Sequence, residues 1–246
     1  MTVKDKIILI TGAASGGIGE ALAKYYSPQN KIIVVSKNMK PKRIPEAHLV
    51  ISADCADEED IKTLEKQIIQ HFGKIDILIN CIGGSLGTYA FQDLKREFIE
   101  KVYTVNVTTS FLLSQMAERL IKENGWICHI VSSSAFEPEI KKLPYSVAKA
   151  GQVQLIVSLA KLLADKNIIV NGVSPTYVFT DRHLRELKEK SEKNGLPLEE
   201  VHAERVKKQL VKNYLYPKDL IPFVDLAIST TTMTGKILHA TGGRIL

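Results

Sequence analysis

The chain has 246 residues, 45% of them hydrophobic, and 33 Lys and Arg against 27 Asp and Glu give a formal net charge of +6. That length suits one α/β unit, and no apolar run approaches the length needed to span a bilayer, so no membrane partner is expected. The basic residues are spread out and the aromatic residues are few and dispersed, which argues against a nucleic-acid surface.

Residues 6–11 form a continuous apolar, β-branched run, the pattern of a strand buried on both faces of a parallel sheet. Gly12-Ala13-Ala14-Ser15-Gly16-Gly17-Ile18-Gly19 follows, then a helical stretch over 20–26 that stops near Pro28. Strand, glycine turn and helix is the order a phosphate site needs. The glycines let the backbone turn sharply beside the phosphates, and the helix start offers free N–H groups. Residues 31–36 are a second buried strand, ending at Ser36 and Lys37. A carboxylate there would accept a ribose 2′-hydroxyl, whereas a hydroxyl and a cation suit a 2′-phosphate, so NADP(H) is preferred over NAD(H). Pro41 and Pro45 prevent a full helix over 37–46, and a strand over 48–53 delivers Asp54 towards a base edge.

Asp57-Glu58-Glu59-Asp60 starts a helix with an acidic first turn, with Ile61, Leu64, Ile68 and Ile69 on its apolar face and a Gly73 stop. His71 near its end has no chemistry assigned. Residues 75–80 are a further strand, ending in Cys81-Ile82-Gly83-Gly84, and the alternation of strands and helices predicts a doubly wound parallel sheet. Helical periodicity then runs from about Leu94 to about Lys122 with a break, and Asn106 is a polar amide between Val105 and Val107. The strand over 126–131 carries His129, read as packed, and presents Ser132-Ser133-Ser134 at the sheet edge where ligands bind in open α/β folds. In Tyr145-Ser146-Val147-Ala148-Lys149 a phenol and an ammonium lie one helical turn apart. A nearby cation favours the phenolate, which would let the tyrosine exchange a proton near neutral pH. The three scattered cysteines, Cys55, Cys81 and Cys128, predict reduced thiols in a cytoplasmic protein without a metal site, and the first residues lack a secretory h-region.

Thr11 to Gly19, Asn80 to Gly83, Asn106, the serine-ended strand, Tyr145 to Lys149, Asn171-Gly172-Val173-Ser174-Pro175 with Thr180, and Thr241-Gly242-Gly243 together resemble the short-chain dehydrogenase/reductase family, in its order and near its spacings. The resemblance spans essentially the whole chain. It departs in three places: one extra residue in the glycine turn, assigned to Gly16; Cys81-Ile82 for the common Asn-Ala; and Thr176 where glycine is frequent.

The resemblance implies a single Rossmann-type domain over 1–246. Tyr145 would be the acid or base at the substrate oxygen, Lys149 would lower its pKa and bond the nicotinamide ribose, and Ser132 would hold the substrate oxygen. Asn106 would anchor a water leading to Lys149. Thr11, Gly12, Ser15, Gly17, Ile18 and Gly19 would cradle the phosphates, with Ser36 and Lys37 at the ribose. Asp54 would lie at the adenine, Asn80 at the adenosine wall and Thr180 at the nicotinamide amide. A lid over about 177–217 would hold two amphipathic helices, one with Leu184 and Leu187, the other with Val201, Val206 and Leu210, broken at Asn194-Gly195-Leu196-Pro197. His183 and His202 are read as surface residues. The expected activity is reduction of a small carbonyl compound or oxidation of an alcohol by a homotetramer or dimer. The alternatives are an NAD-dependent alcohol dehydrogenase and a nucleotide sensor without turnover.

Overall fold

The computed structural model describes residues 3–13, 16–37, 44 and 47–245. Seven parallel strands form one sheet: β1 (Ile7–Thr11), β2 (Lys31–Ser36), β3 (Leu49–Ser52), β4 (Ile77–Asn80), β5 (Trp126–Ile130), β6 (Ile169–Pro175) and β7 (Ile237–Ala240), in the order β3-β2-β1-β4-β5-β6-β7. The order reverses at β1, which pairs with β2 on one side and β4 on the other. Side chains alternate between the faces, as a pleated strand requires. Ile33 and Val35 enter the core beneath α2 (Glu58–Phe72), α4 (Thr109–Leu120) and α5 (Leu143–Leu162). Ile32 and Val34 enter the opposite core beneath α1 (Ile18–Tyr26) and α8 (Ile221–Ser229).

The local signals account for the element ends. Asp57 caps α2 by accepting from the Glu59 and Asp60 amides, and Gly73 ends that helix in the left-handed conformation. The break expected between Leu94 and Lys122 is a π-helical turn, Thr104–Thr108, joining α3 (Arg96–Tyr103) to α4. β6 and β7 carry no uniform apolar run that would announce them. Asn171 sits fully buried in β6 because its side-chain nitrogen donates to the Ala227 and Met233 carbonyls.

The segment expected to form a lid holds α6 (Asp181–Asn194), ended by left-handed Gly195, and α7 (Leu198–Val206). Phe179, Leu187, Val201 and Val206 make a small core of their own there. Leu210 does not belong to the second helix and is exposed. Past Val206 the chain pairs with the turn near its end instead, Leu210 and Val211 both donating to the Gly242 carbonyl at 2.9 Å. The connection after β2, expected to lack a full helix, falls largely outside the described residues.

Candidate functional site

A cleft of about 360 Å³ opens at the carboxyl ends of the central strands, where the strand order reverses. At one end is the turn between β1 and α1. Gly12 has φ +66°, and a Cβ there would come within 2.9 Å of the Cys81 carbonyl carbon, so the turn lies directly on the end of β4. On Gly19 a Cβ would meet the Gly12 oxygen at 2.8 Å, which keeps the start of α1 against that turn. The extra residue, Gly16, also has positive φ (+63°), and a Cβ on it would run into the Asp181 carboxylate at 1.9 Å. Its amide donates to Glu20 Oε2 at 2.8 Å. The hydroxyl of Thr176 is buried at the cleft with no partner among the described residues. A bare glycine cradle at a helix start and an unpartnered hydroxyl farther along fit a long, phosphate-bearing ligand such as a dinucleotide.

At the other end Ser132, Tyr145 and Lys149 share the cleft wall. Ser132 follows β5 and lies in the cleft wall beside Tyr145, which is on the first turn of α5. Burial pushes the Tyr145 phenol up to about 12, while the neighbouring Ser132 hydroxyl pulls the other way. Lys149 is 2% exposed, and burial pushes its ammonium down to about 7. Its Nζ lies 5.8 Å from the Tyr145 ring centre and donates to the Ile130 carbonyl at 3.0 Å and to Gln152 Oε1 at 2.7 Å. The lysine was expected to depress the phenol pKa, but in this structure desolvation dominates both groups and the lysine bonds elsewhere.

Beneath the cleft runs a buried polar network. Thr11 Oγ1 donates to Asn80 Oδ1 at 2.8 Å, and the Asn80 amide nitrogen donates to Ser110 Oγ and to His129 Nδ1, each at 3.1 Å. Ser110 Oγ donates to the Asn106 carbonyl at 2.8 Å and accepts Gln152 Nε2 at 2.8 Å. Ser114 gives its own proton to the Ser110 carbonyl, so it accepts from His129 Nε2–H, and the imidazole is held as one neutral tautomer. Burial pushes His129 down to about 3. Asn106 sits in the π turn with its side-chain nitrogen donating to the Val102 and Gly84 carbonyls and its oxygen accepting the Gly84 amide.

Of the residues named from sequence, Gly12, Gly17, Ile18, Gly19, Ser132, Tyr145, Lys149 and Thr180 line the cleft. Thr11, Asn80 and Asn106 are fully buried beneath it, in the polar network described above. Ser36, Lys37 and Asp54 sit at the ends of β2 and β3, where Lys37 is paired with Asp54. Ser15 lies outside the described residues. Thr180 caps α6 by accepting the His183 amide at 3.3 Å.

His183 is not a plain surface residue: it lines the cleft, stacks on Tyr177 with centroids 4.7 Å apart, and bonds the Val178 carbonyl at 2.7 Å. His202 likewise packs edge-on against Phe179, with Nε2 buried and without a hydrogen-bond partner among the described residues. Glu139, Lys142, Tyr177 and Arg182 also line the cleft and went unmarked in the sequence. Their signal was position alone: Glu139 and Lys142 follow β5, and Tyr177 and Arg182 lie at the start of the 177–217 stretch expected to form the lid. Among the described residues no group of His, Cys, Asp and Glu could hold a metal ion.

A family model described as short chain dehydrogenase matches residues 6–191. An uncharacterized oxidoreductase of Staphylococcus epidermidis is 34% identical over 72% of this chain and 80% of its own length. An NAD-dependent glycerol dehydrogenase of Listeria innocua is 32% identical over 73% of each chain. Among solved structures, L-sorbose reductase from Gluconobacter frateurii, complexed with NADPH and L-sorbose, superposes with a TM-score of 0.91 at 23% identity, covering 99% of this chain and 98% of that one. At that identity the likeness speaks for the fold.

Proposed function

Because the chain belongs to the short-chain dehydrogenase/reductase family, we propose that it interconverts a small carbonyl compound and its alcohol with NADP(H), using Tyr145 as the proton donor and acceptor. The observation that carries this reading is that Ser132, Tyr145 and Lys149 line one cleft with a glycine cradle at its other end. A bound nicotinamide dinucleotide supplies or takes the hydride. Gly12, Gly17, Ile18 and Gly19 would hold its phosphates, and Thr180 its amide end. Ser132 orients the substrate oxygen, and Tyr145 delivers a proton to that oxygen in reduction or removes it in oxidation. A phenol at about 12 is protonated at neutral pH, which suits the reductive direction.

Ser36 and Lys37 at the end of β2 support a 2′-phosphate, and the Lys37 ammonium would exchange Asp54 for that phosphate on binding. The second reading is an NAD-dependent alcohol dehydrogenase. It is favoured by the Lys37–Asp54 pair itself, which occupies the cation, and by the NAD dependence of the Listeria relative. The cleft wall of Glu139, Lys142, Tyr177, Arg182 and His183 is polar and suits a substrate with hydroxyl or charged groups. Residues 177–217 act as its lid, since the start of α6 stands on the cleft. No helix of the described residues is long and apolar enough to cross a membrane. Exposed Phe111 on α4 and Val147 and Leu162 on α5 support a homo-oligomer built on those helices, and a monomer in light scattering at micromolar concentration would contradict it.

The test is nicotinamide fluorescence on titrating NADPH and NADH separately, then turnover on a panel of sugars, polyols and oxo acids. NADPH binding, with turnover that falls by at least about a hundredfold in Tyr145→Phe at unchanged cofactor affinity, is the expected result. Binding of neither dinucleotide would overturn the reading.

A further inference from the structure

Lys149 is an ammonium buried among neutral partners, and the element that completes its site is not one of the family motif positions. Three titratable groups face it: Cys81 from the turn after β4, His129 from β5, and Tyr145 one turn earlier in α5. Burial keeps the thiol protonated, pushing it up to about 12; the imidazole is neutral; the phenol is protonated. No carboxylate is bonded to Nζ among the described residues. Its stabilisation comes from two neutral oxygens, of Ile130 and of the Gln152 side chain, and the Gln152 contact is the shorter. Two of its three N–H donors are thereby used, leaving one for the cleft.

The orientation of the Gln152 amide is determined by its other end. Ser110 Oγ spends its proton on the Asn106 carbonyl, so it can only accept from Gln152 Nε2, and Oε1 must then face Lys149. Ser110 also accepts from Asn80, whose oxygen accepts from Thr11 at the root of the glycine turn. Every link has its donors and acceptors matched, and Gln152 is 0% exposed. An amide in a helix interior, fully buried three residues after the lysine, has no packing advantage over an apolar side chain unless it serves this contact.

We infer that Gln152 is a positioning residue for Lys149: its side-chain oxygen, aimed by Ser110, sets where the ammonium sits and how readily it gives up its proton, and ties that lysine to the glycine turn through Asn80 and Thr11. The inference rests on the role proposed above for Lys149 but reads out separately from it. A carboxylate at this place would favour the charged lysine and an apolar group would disfavour it. Gln152→Glu and the volume-matched Gln152→Met therefore move the lysine in opposite directions.

The experiment follows the ¹⁵N-labelled Lys149 Nζ by NMR titration in wild type and both variants, with the pH profile of kcat/KM measured alongside and circular dichroism to verify folding. Expected is an upward shift of at least about one pH unit in Gln152→Glu and a downward shift of similar size in Gln152→Met, mirrored in the profile. Ser110→Ala, which frees the amide to flip, should reproduce the downward shift in part. Shifts of the same sign in both variants, or none, overturn the inference even if turnover is normal. Opposed Nζ shifts without turnover on any carbonyl would uphold the contact and count against the proposed activity instead.

Discussion

Acid should weaken this fold through His129 in a way that one substitution removes. Its Nδ1 accepts from Asn80 and its Nε2 donates to Ser114. A second proton on Nδ1 would set two donors face to face in a site without water-exposed surface. The folded histidine therefore resists protonation until about pH 3, against an ordinary value of 6.5. In the unfolded chain it takes up its proton near 6.5, so the unfolded state binds more protons throughout that window. Stability is full above 6.5 and falls as the pH drops towards 3. Between about pH 7 and about pH 4.5 the loss from this one group is on the order of 2 to 3 kcal/mol, the gap being nearly two pH units at about 1.4 kcal/mol each. Urea unfolding at both pH values, in wild type and in His129→Gln, isolates it. Glutamine can accept from Asn80 and donate to Ser114 without titrating, and the carboxylates contribute equally to both proteins. The wild type should lose on the order of 2 to 3 kcal/mol more than the variant. Equal losses would refute the neutral-tautomer argument.

Three further outcomes follow from particular contacts. Lys37→Asp should weaken NADPH by about tenfold or more while sparing NADH, measured as two dissociation constants, because a carboxylate repels the 2′-phosphate and accepts the free hydroxyl. Gly83→Ala places a Cβ 2.8 Å from Asn106 Oδ1 and 2.9 Å from Lys149 Nζ, and kcat should fall by about tenfold or more with the fold retained by circular dichroism. Asp57→Ala removes the acceptor for two α2 amides and should cost about 1 kcal/mol in urea unfolding without altering turnover.

Much of this architecture is legible in the chain because parallel strands advertise themselves. Runs such as residues 31–36 are buried on both faces and need no partner to be recognised. The glycine turn and the Tyr145–Lys149 spacing are legible for a similar reason, since local geometry alone fixes what they can present. β6 was marked only as a motif, because Asn171 and Gly172 break its apolar run and their burial is explained by α8 and the loop after it. Gln152 and Ser110 lie on different helices and reveal nothing until the fold brings them to 2.8 Å. His183 looks solvated in the sequence because its stacking on Tyr177 and its bond to the Val178 carbonyl depend on how the chain turns into α6, which residue spacing alone does not show. The one local hint available for Gln152 was an amide one turn after Lys149, on a helix whose neighbouring positions are apolar.

The strand order also bears on how the chain is made. β1 lies inside the sheet yet only β2 reaches it early; its other neighbour, β4, begins at Ile77, and β6 stays an open edge until Ile237–Ala240 has been synthesised. A nascent chain therefore carries unpaired, strongly apolar strand edges through most of its translation, which is the condition that favours aggregation and recruits chaperones. Variants that shorten or unsettle β7 would be felt first as lost yield in the cell, ahead of any change in the chemistry of the cleft.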